Sequence, residues 1–157
     1  MVQIVKEIKV DNEKLYEDAK KYFENSKDTI EVPKDSRRLN SVSGNIYGIY
    51  VNDQIKYIGE RQSGKITTRL NQHFHRCSEK TQSKLKEVEC AFAAGEKVSY
   101  KTLLIVPDYE RYALETYLIQ NIDNLEWNIK EKGKMKTIKS VEISSDENIE
   151  FVLTNNE

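Results

Sequence analysis

Apolar positions along the chain fall into two periods. Two β-branched and aromatic runs, residues 46–51 and 55–58, flank the turn-prone pair Asn52-Asp53, a pattern that predicts a tight β-hairpin. Across residues 63–76 the period changes: Ile66, Leu70, Phe74 and Cys77 recur at helical spacing and predict an amphipathic helix, with Arg69 and His73 together on its flank. A second helix is predicted over 81–94, with Leu85, Val88 and Phe92 inward and Gly95 placed to stop it. Residues 100–106, YKTLLIV, form a nearly continuous apolar run ended by Pro107, which suits a central strand covered on both faces. Asp108 is then positioned to cap a helix running from Tyr109 to about Ile122.

The flanks are less regular. Residues 2–10, VQIVKEIKV, are β-branched and predict a strand, and residues 12–25 predict a helix with Leu15, Ala19 and Phe23 on one face. Residues 26–43 hold Pro33, Asp35 and several serines and read as loop. The tail, KMKTIKSVEIS and ENIEFVLTN around Ser145-Asp146, predicts a second hairpin. A chain of 157 residues is ample for one domain and short for two. The expectation is a small α+β domain: an antiparallel sheet of three core strands flanked by helices over residues 44–132, an N-terminal extension over 1–43, and a tail over 133–157 that belongs to the same domain.

Charge changes the picture only locally. The net charge of −1 does not by itself suggest a polyanion partner. From Arg61 to Lys86, however, seven lysines and arginines face one acid, Glu79. Such a stretch suits phosphate binding, although a solvated helix face is the commoner explanation of a charge run. No apolar run approaches the length of a membrane helix, and the first residues carry charges within their apolar run, unlike a secretory leader. With Cys77 and Cys90 the only cysteines, the expectation is a cytoplasmic protein without membrane contact.

Candidate chemistry centres on the hairpin. In a regular hairpin Tyr50 and Tyr57 come to one side of the sheet and place two phenols together. Downstream, Glu115 has Tyr112, Leu118, Ile119 and Ile122 as helical neighbours, so a carboxylate lies on an apolar face and calls for a cation, a metal ion or a proton. The tripeptides Gly48-Ile49-Tyr50 and Tyr57-Ile58-Gly59, followed in order by Arg69, His73, Glu115 and Asn128, resemble the GIY-YIG nuclease superfamily over residues 44–130. Two departures stand out: only six residues, 51–56, separate the tripeptides, fewer than many members carry, and the acidic Glu60 follows the second.

The resemblance implies a GIY-YIG-like fold and a metal-dependent DNA endonuclease, similar to compact restriction or phage enzymes. Hydrolysis of a phosphodiester needs an aligned nucleophile, stabilised phosphate oxygens and help for the leaving oxygen. Glu115 would hold one Mg²⁺ or Mn²⁺, hard cations that prefer carboxylate oxygen. Arg69 would present its planar fork to the phosphate, and Tyr50 would take a proton from water with Tyr57 and His73 orienting or relaying, the choice of base staying open. Asn128, by resemblance, would anchor the helix end that carries Glu115. Arg61, Lys65, His75, Arg76, Lys80 and Lys84, with Arg37 and Arg38 in the preceding loop, would contact DNA phosphates. With one site per chain, cutting a duplex requires a homodimer or successive nicks.

Each residue has a plainer explanation. Tyrosine favours strands, adjacent surface arginines are ordinary, and Arg111 stands four residues before Glu115 and would satisfy it. A catalytically inactive nucleic-acid-binding or protein-interaction module on the same scaffold is the alternative of another class. A zinc site of His73, His75, Cys77 and Cys90 is disfavoured, because the first three alternate within a predicted helix and point to different faces.

Overall fold

The computed structural model describes residues 8–35, 37–75, 83–128 and 150–153. Among the described residues four α-helices, α1 (Ile8–Glu24), α2 (Ile66–Phe74), α3 (Leu85–Ala93) and α4 (Arg111–Asn121), pack on a five-stranded antiparallel sheet. Its strands are β1 (Ile30–Glu31), β2 (Ile46–Val51), β3 (Gln54–Glu60), β4 (Val98–Val106) and β5 (Glu150–Leu153). The order is β1-β4-β2-β3, with β5 pairing β4 beyond β1. The expected α+β class and the central, doubly covered β4 are both found, β4 being buried along most of its length.

The hairpin closes as its turn residues dictate. Asn52 and Asp53 both adopt positive φ, 50° and 66°, which a two-residue turn of the primed type requires and which these two residue types tolerate. Its register is not regular. Val51 pairs with Gln54 and Tyr50 with Ile55, but Ile49 pairs with Tyr57, so Lys56 is the extra residue of a β-bulge. Because side chains alternate with period two, one extra residue carries everything beyond it to the opposite face. Tyr57 therefore shares a face with Ile49 and Tyr47, and Tyr50 is left on the other.

Each face builds its own core. On the first, Ile46, Ile58, Leu103 and Ile105 pack against Tyr16, Ala19 and Phe23 of α1 and Leu114, Leu118 and Ile119 of α4. On the second, Tyr47, Ile49, Tyr57 and Tyr100 pack against Ile66, Leu70 and Phe74 of α2 and Val88 and Ala91 of α3. The segment before residue 43 contributes Tyr16, Ala19 and Phe23 to the first core and Val32 and Val42 to the second.

Tyr50 lies in that first core. Its hydroxyl donates to the Phe23 carbonyl at 2.5 Å, while Lys101 Nζ on β4 donates to the carbonyls of Tyr22 and Asn25 at 2.7 and 2.5 Å. Together they satisfy the Tyr22, Phe23 and Asn25 carbonyls at the C-terminal end of α1, where a cation also meets the negative end of the helix dipole. Burial pushes the Lys101 amine down to about 8.

Several boundaries differ from expectation. Residues 8–10, expected in a strand, open α1. The predicted start of α3 at residues 81–82, and the first arm of the tail hairpin, lie outside the described residues; the second arm supplies β5. Asp108 does not cap α4 but opens a 3₁₀ turn, Asp108–Glu110, and its carboxylate accepts instead from Asn45 and Arg111.

Candidate active site

The second face of the hairpin positions the first groups. Tyr47 pairs directly with Gly59 across the β2-β3 ladder, and a Cβ at Gly59 would collide with the Tyr47 ring. Glycine therefore lets the phenol lie across β3. The Tyr57 ring lies 6.2 Å from that of Tyr47, centroid to centroid, and the imidazole of His73 stands 5.5 Å from the first ring and 5.4 Å from the second.

His73 is fully buried on α2, not on a solvated flank. Its Nδ1 accepts from the Lys84 backbone N–H at 2.9 Å, so in the neutral ring the proton resides on Nε2, which lies 2.8 Å from the Tyr47 hydroxyl. Nε2–H then donates to Tyr47 Oη and leaves the phenolic hydrogen to be given elsewhere. Burial, reinforced by the charges of Arg69, Lys84 and Arg61, holds His73 well below its ordinary value and keeps it neutral.

Arg69, one turn earlier on α2, bears on the same hydroxyl. Burial raises the Tyr47 phenol well above its ordinary value, as do Tyr57 and Glu115 to a smaller degree; the charge and hydrogen bond of Arg69 act in the opposite direction. Glu115 of α4, which packs against β3, thus lies near enough for its charge to be felt at Tyr47. Tyr47, Tyr57, Arg69, His73 and Glu115 come together from β2, β3, α2 and α4. Next to them Arg61, Lys65, Thr68, Arg69 and Gln72 line a groove of about 330 Å³. Arg69 Nη1 is steadied there by Gln72 Oε1 at 2.9 Å, and Lys84 Nζ lies 5.4 Å above the Tyr57 ring.

Tyr50 is the main correction: its ring is on the opposite face, engaged with α1, and Tyr47 stands where Tyr50 was expected. Asn128 is present but holds a different element. Its side-chain amide donates to the Ile58 carbonyl at 3.0 Å and accepts from the Ile58 N–H at 2.7 Å, taking the place of a neighbouring strand on the edge of β3 rather than anchoring α4. Arg111, the plainer partner considered for Glu115, is engaged with two other acids: its Nε donates to Glu60 Oε2 at 2.6 Å and its Nη1 bonds the Asp108 carboxylate. That ion pair also answers the charge of Glu60, the unexpected acid beside the second tripeptide.

The outlying basic residues separate. Arg61, Lys65 and Lys84 border the site, and Arg76 and Lys80 lie outside the described residues. Arg37 is exposed and paired with Asp35 at 2.8 Å. His75 is not a surface residue: beyond the end of α2 the backbone turns extended, and the ring lies buried by a separate cavity of about 480 Å³ that Arg38 also lines. Burial, with the Arg38 charge, lowers its pKa.

Sequence reasoning missed Tyr47, Gly59 as its partner, and the pairing of Arg111 with Glu60. A signal for the first existed: counted from Tyr47 rather than Tyr50, nine residues, 48–56, precede Tyr57, and the short spacing disappears. Among the described residues no group of three or more His, Cys, Asp or Glu could hold a metal ion; Cys77 lies outside them and Cys90 is exposed. A single carboxylate such as that of Glu115, completed by water, is a donor set that would fit magnesium, which keeps much of its hydration. No helix among the described residues is long and apolar enough to cross a membrane. Comparison of the chain with protein-family models, curated proteins and solved structures finds no match.

Proposed function

We propose that this chain is a metal-dependent endonuclease of GIY-YIG type that hydrolyses DNA phosphodiesters, with Tyr47 in the part first given to Tyr50. The observation that carries this reading is the convergence on one phenolic oxygen of the His73 Nε2–H, 2.8 Å away, and the Arg69 guanidinium, with Glu115 close by. Two donors aimed at one oxygen stabilise its anionic form, the form able to accept a proton from an attacking water.

In this reading water attacks phosphorus, its proton passes to Tyr47 Oη, and the bond to the leaving oxygen breaks. Arg69 balances the charge that grows on the non-bridging oxygens, beside a groove whose Arg61 and Lys65 receive the flanking phosphates. Glu115 would hold a divalent cation, which when bound would supply further charge stabilisation to the reaction. Neutralising Glu115 also removes one of the influences that raise the Tyr47 phenol. Tyr57 and His73 orient Tyr47, and Asn128 fixes the strand that carries Tyr57.

Incubation of the chain with supercoiled plasmid and Mg²⁺ or Mn²⁺ tests it. Metal-dependent nicking is expected, with Glu115→Ala abolishing cleavage while still retarding DNA in a gel. Binding without cleavage in every metal would assign the scaffold to the inactive-module alternative, and full cleavage by Glu115→Ala would remove the metal site.

A further inference from the structure

Among the described residues, two large aromatic side chains stay in solvent, Tyr109 at 58% and Tyr112 at 57% exposure. They follow each other at a spacing of three, and Glu115 comes three later, so Tyr112 is a helical neighbour of both along the 3₁₀ turn and α4. Tyr112 is not loose. Its ring is laid against the Arg111 guanidinium at 4.3 Å and its hydroxyl accepts from Arg111 Nη2 at 2.8 Å. Arg111 is itself only 7% exposed and is fixed by Glu60 and Asp108.

An exposed aromatic held on one face by an anchored arginine offers its other face ready-made for stacking. Arg111 is linked towards the cationic groove through Glu60, its ion-pair partner, which is followed in the chain by Arg61 of the groove lining. Phosphates in the groove and planar rings on the tyrosines would be contacts to one strand. Bases inside a duplex are already stacked and have no face to give.

We infer that Tyr109 and Tyr112 form a stacking platform for unpaired nucleobases, so that the nucleic acid taken by this site is single-stranded or locally opened next to the scissile phosphate. The inference rests on the nuclease reading and adds the substrate class to it.

Fluorescence anisotropy in EDTA, where no cleavage occurs, separates the two. The probes are a fluorescein-labelled mixed-sequence single strand and the same strand fully paired. The Tyr109→Ala/Tyr112→Ala double variant is expected to weaken single-strand binding by about tenfold or more and duplex binding by less than about twofold, and Tyr112→Phe, which keeps the ring, to stay within about twofold of the parent for both. Thermal melting confirms that the variants fold, as the exposure of both side chains leads one to expect. Unchanged single-strand affinity in the double variant, or equal loss for both probes, overturns the platform; if Mg²⁺-dependent nicking persists in that case, the nuclease reading survives alone. A parent chain that binds neither probe overturns both.

Discussion

Replacing Tyr47 and Tyr50 in turn by phenylalanine asks which tyrosine of the Ile-Tyr-Gly-Ile-Tyr run does chemistry. Tyr47→Phe removes the oxygen on which His73 Nε2 and Arg69 converge. A positioned base contributes about 10²–10⁴ in rate, equivalent to about 3–5 kcal/mol of barrier, and that loss is expected in single-turnover cleavage. Tyr50→Phe removes the 2.5 Å bond to the Phe23 carbonyl at the end of α1 and leaves a buried acceptor short of its donor. Such a group costs about 1–3 kcal/mol, and each kcal/mol lowers the melting temperature of a domain this size by about 2–4 °C. The rate per folded molecule should not change.

Melting alone does not separate the two, because Tyr47→Phe also strands the His73 N–H at a similar cost. The decisive quantity is cleavage of labelled DNA measured below both melting temperatures. With a phenol raised well above its ordinary value, the parent rate should climb with pH through the neutral range, and that climb should vanish in Tyr47→Phe. A Tyr50→Phe rate as low as that of Tyr47→Phe, or a Tyr47→Phe rate equal to the parent, refutes the assignment of the phenols.

Two further outcomes follow from the same geometry. Asn128→Ala leaves both the N–H and the C=O of fully buried Ile58 without their partners, at a cost of about 2–6 kcal/mol for the pair, read as a fall in the denaturant midpoint. Lost cleavage at an unchanged midpoint would instead make Asn128 a direct participant in the chemistry. His73 is held below its ordinary value in the folded chain, so its contribution to stability is complete above pH 6.5 and is lost as pH falls from there towards the folded value, because only the unfolded state takes up the proton. The slope from this residue is at most about 1.4 kcal/mol per pH unit, His75 acts in the same direction, and midpoints that stay flat between pH 7 and pH 5 would show that neither ring is buried neutral.

What could be read in the chain divides along a physical line. The turn at Asn52-Asp53, the apolar stripe of α2 and the doubly buried run of β4 are local patterns, and each folds as its residues dictate. Which phenol joins the proposed site is not a local matter. Tyr47 and Tyr50 stand three apart on one strand and so face opposite ways, and a regular hairpin would bring Tyr57 to the side of Tyr50. Placing one unpaired residue at Lys56 reverses that parity. The side with Tyr50 is then closed by α1, whose terminal carbonyls draw in the phenol and the Lys101 amine, while the other side meets His73 and Arg69. Glu60 follows the same logic: an acid that looks misplaced beside a phosphate site is neutralised by Arg111, fifty-one positions further on, and the pair becomes the bracket that steadies Tyr112. Sites built from long-range parity and long-range charge pairs escape a reading by spacing even where every contributing residue type is correctly noticed. For that reason the spacing that fits best, Tyr47 to Tyr57, carries more weight once the bulge is seen than the tripeptide that first attracts the eye.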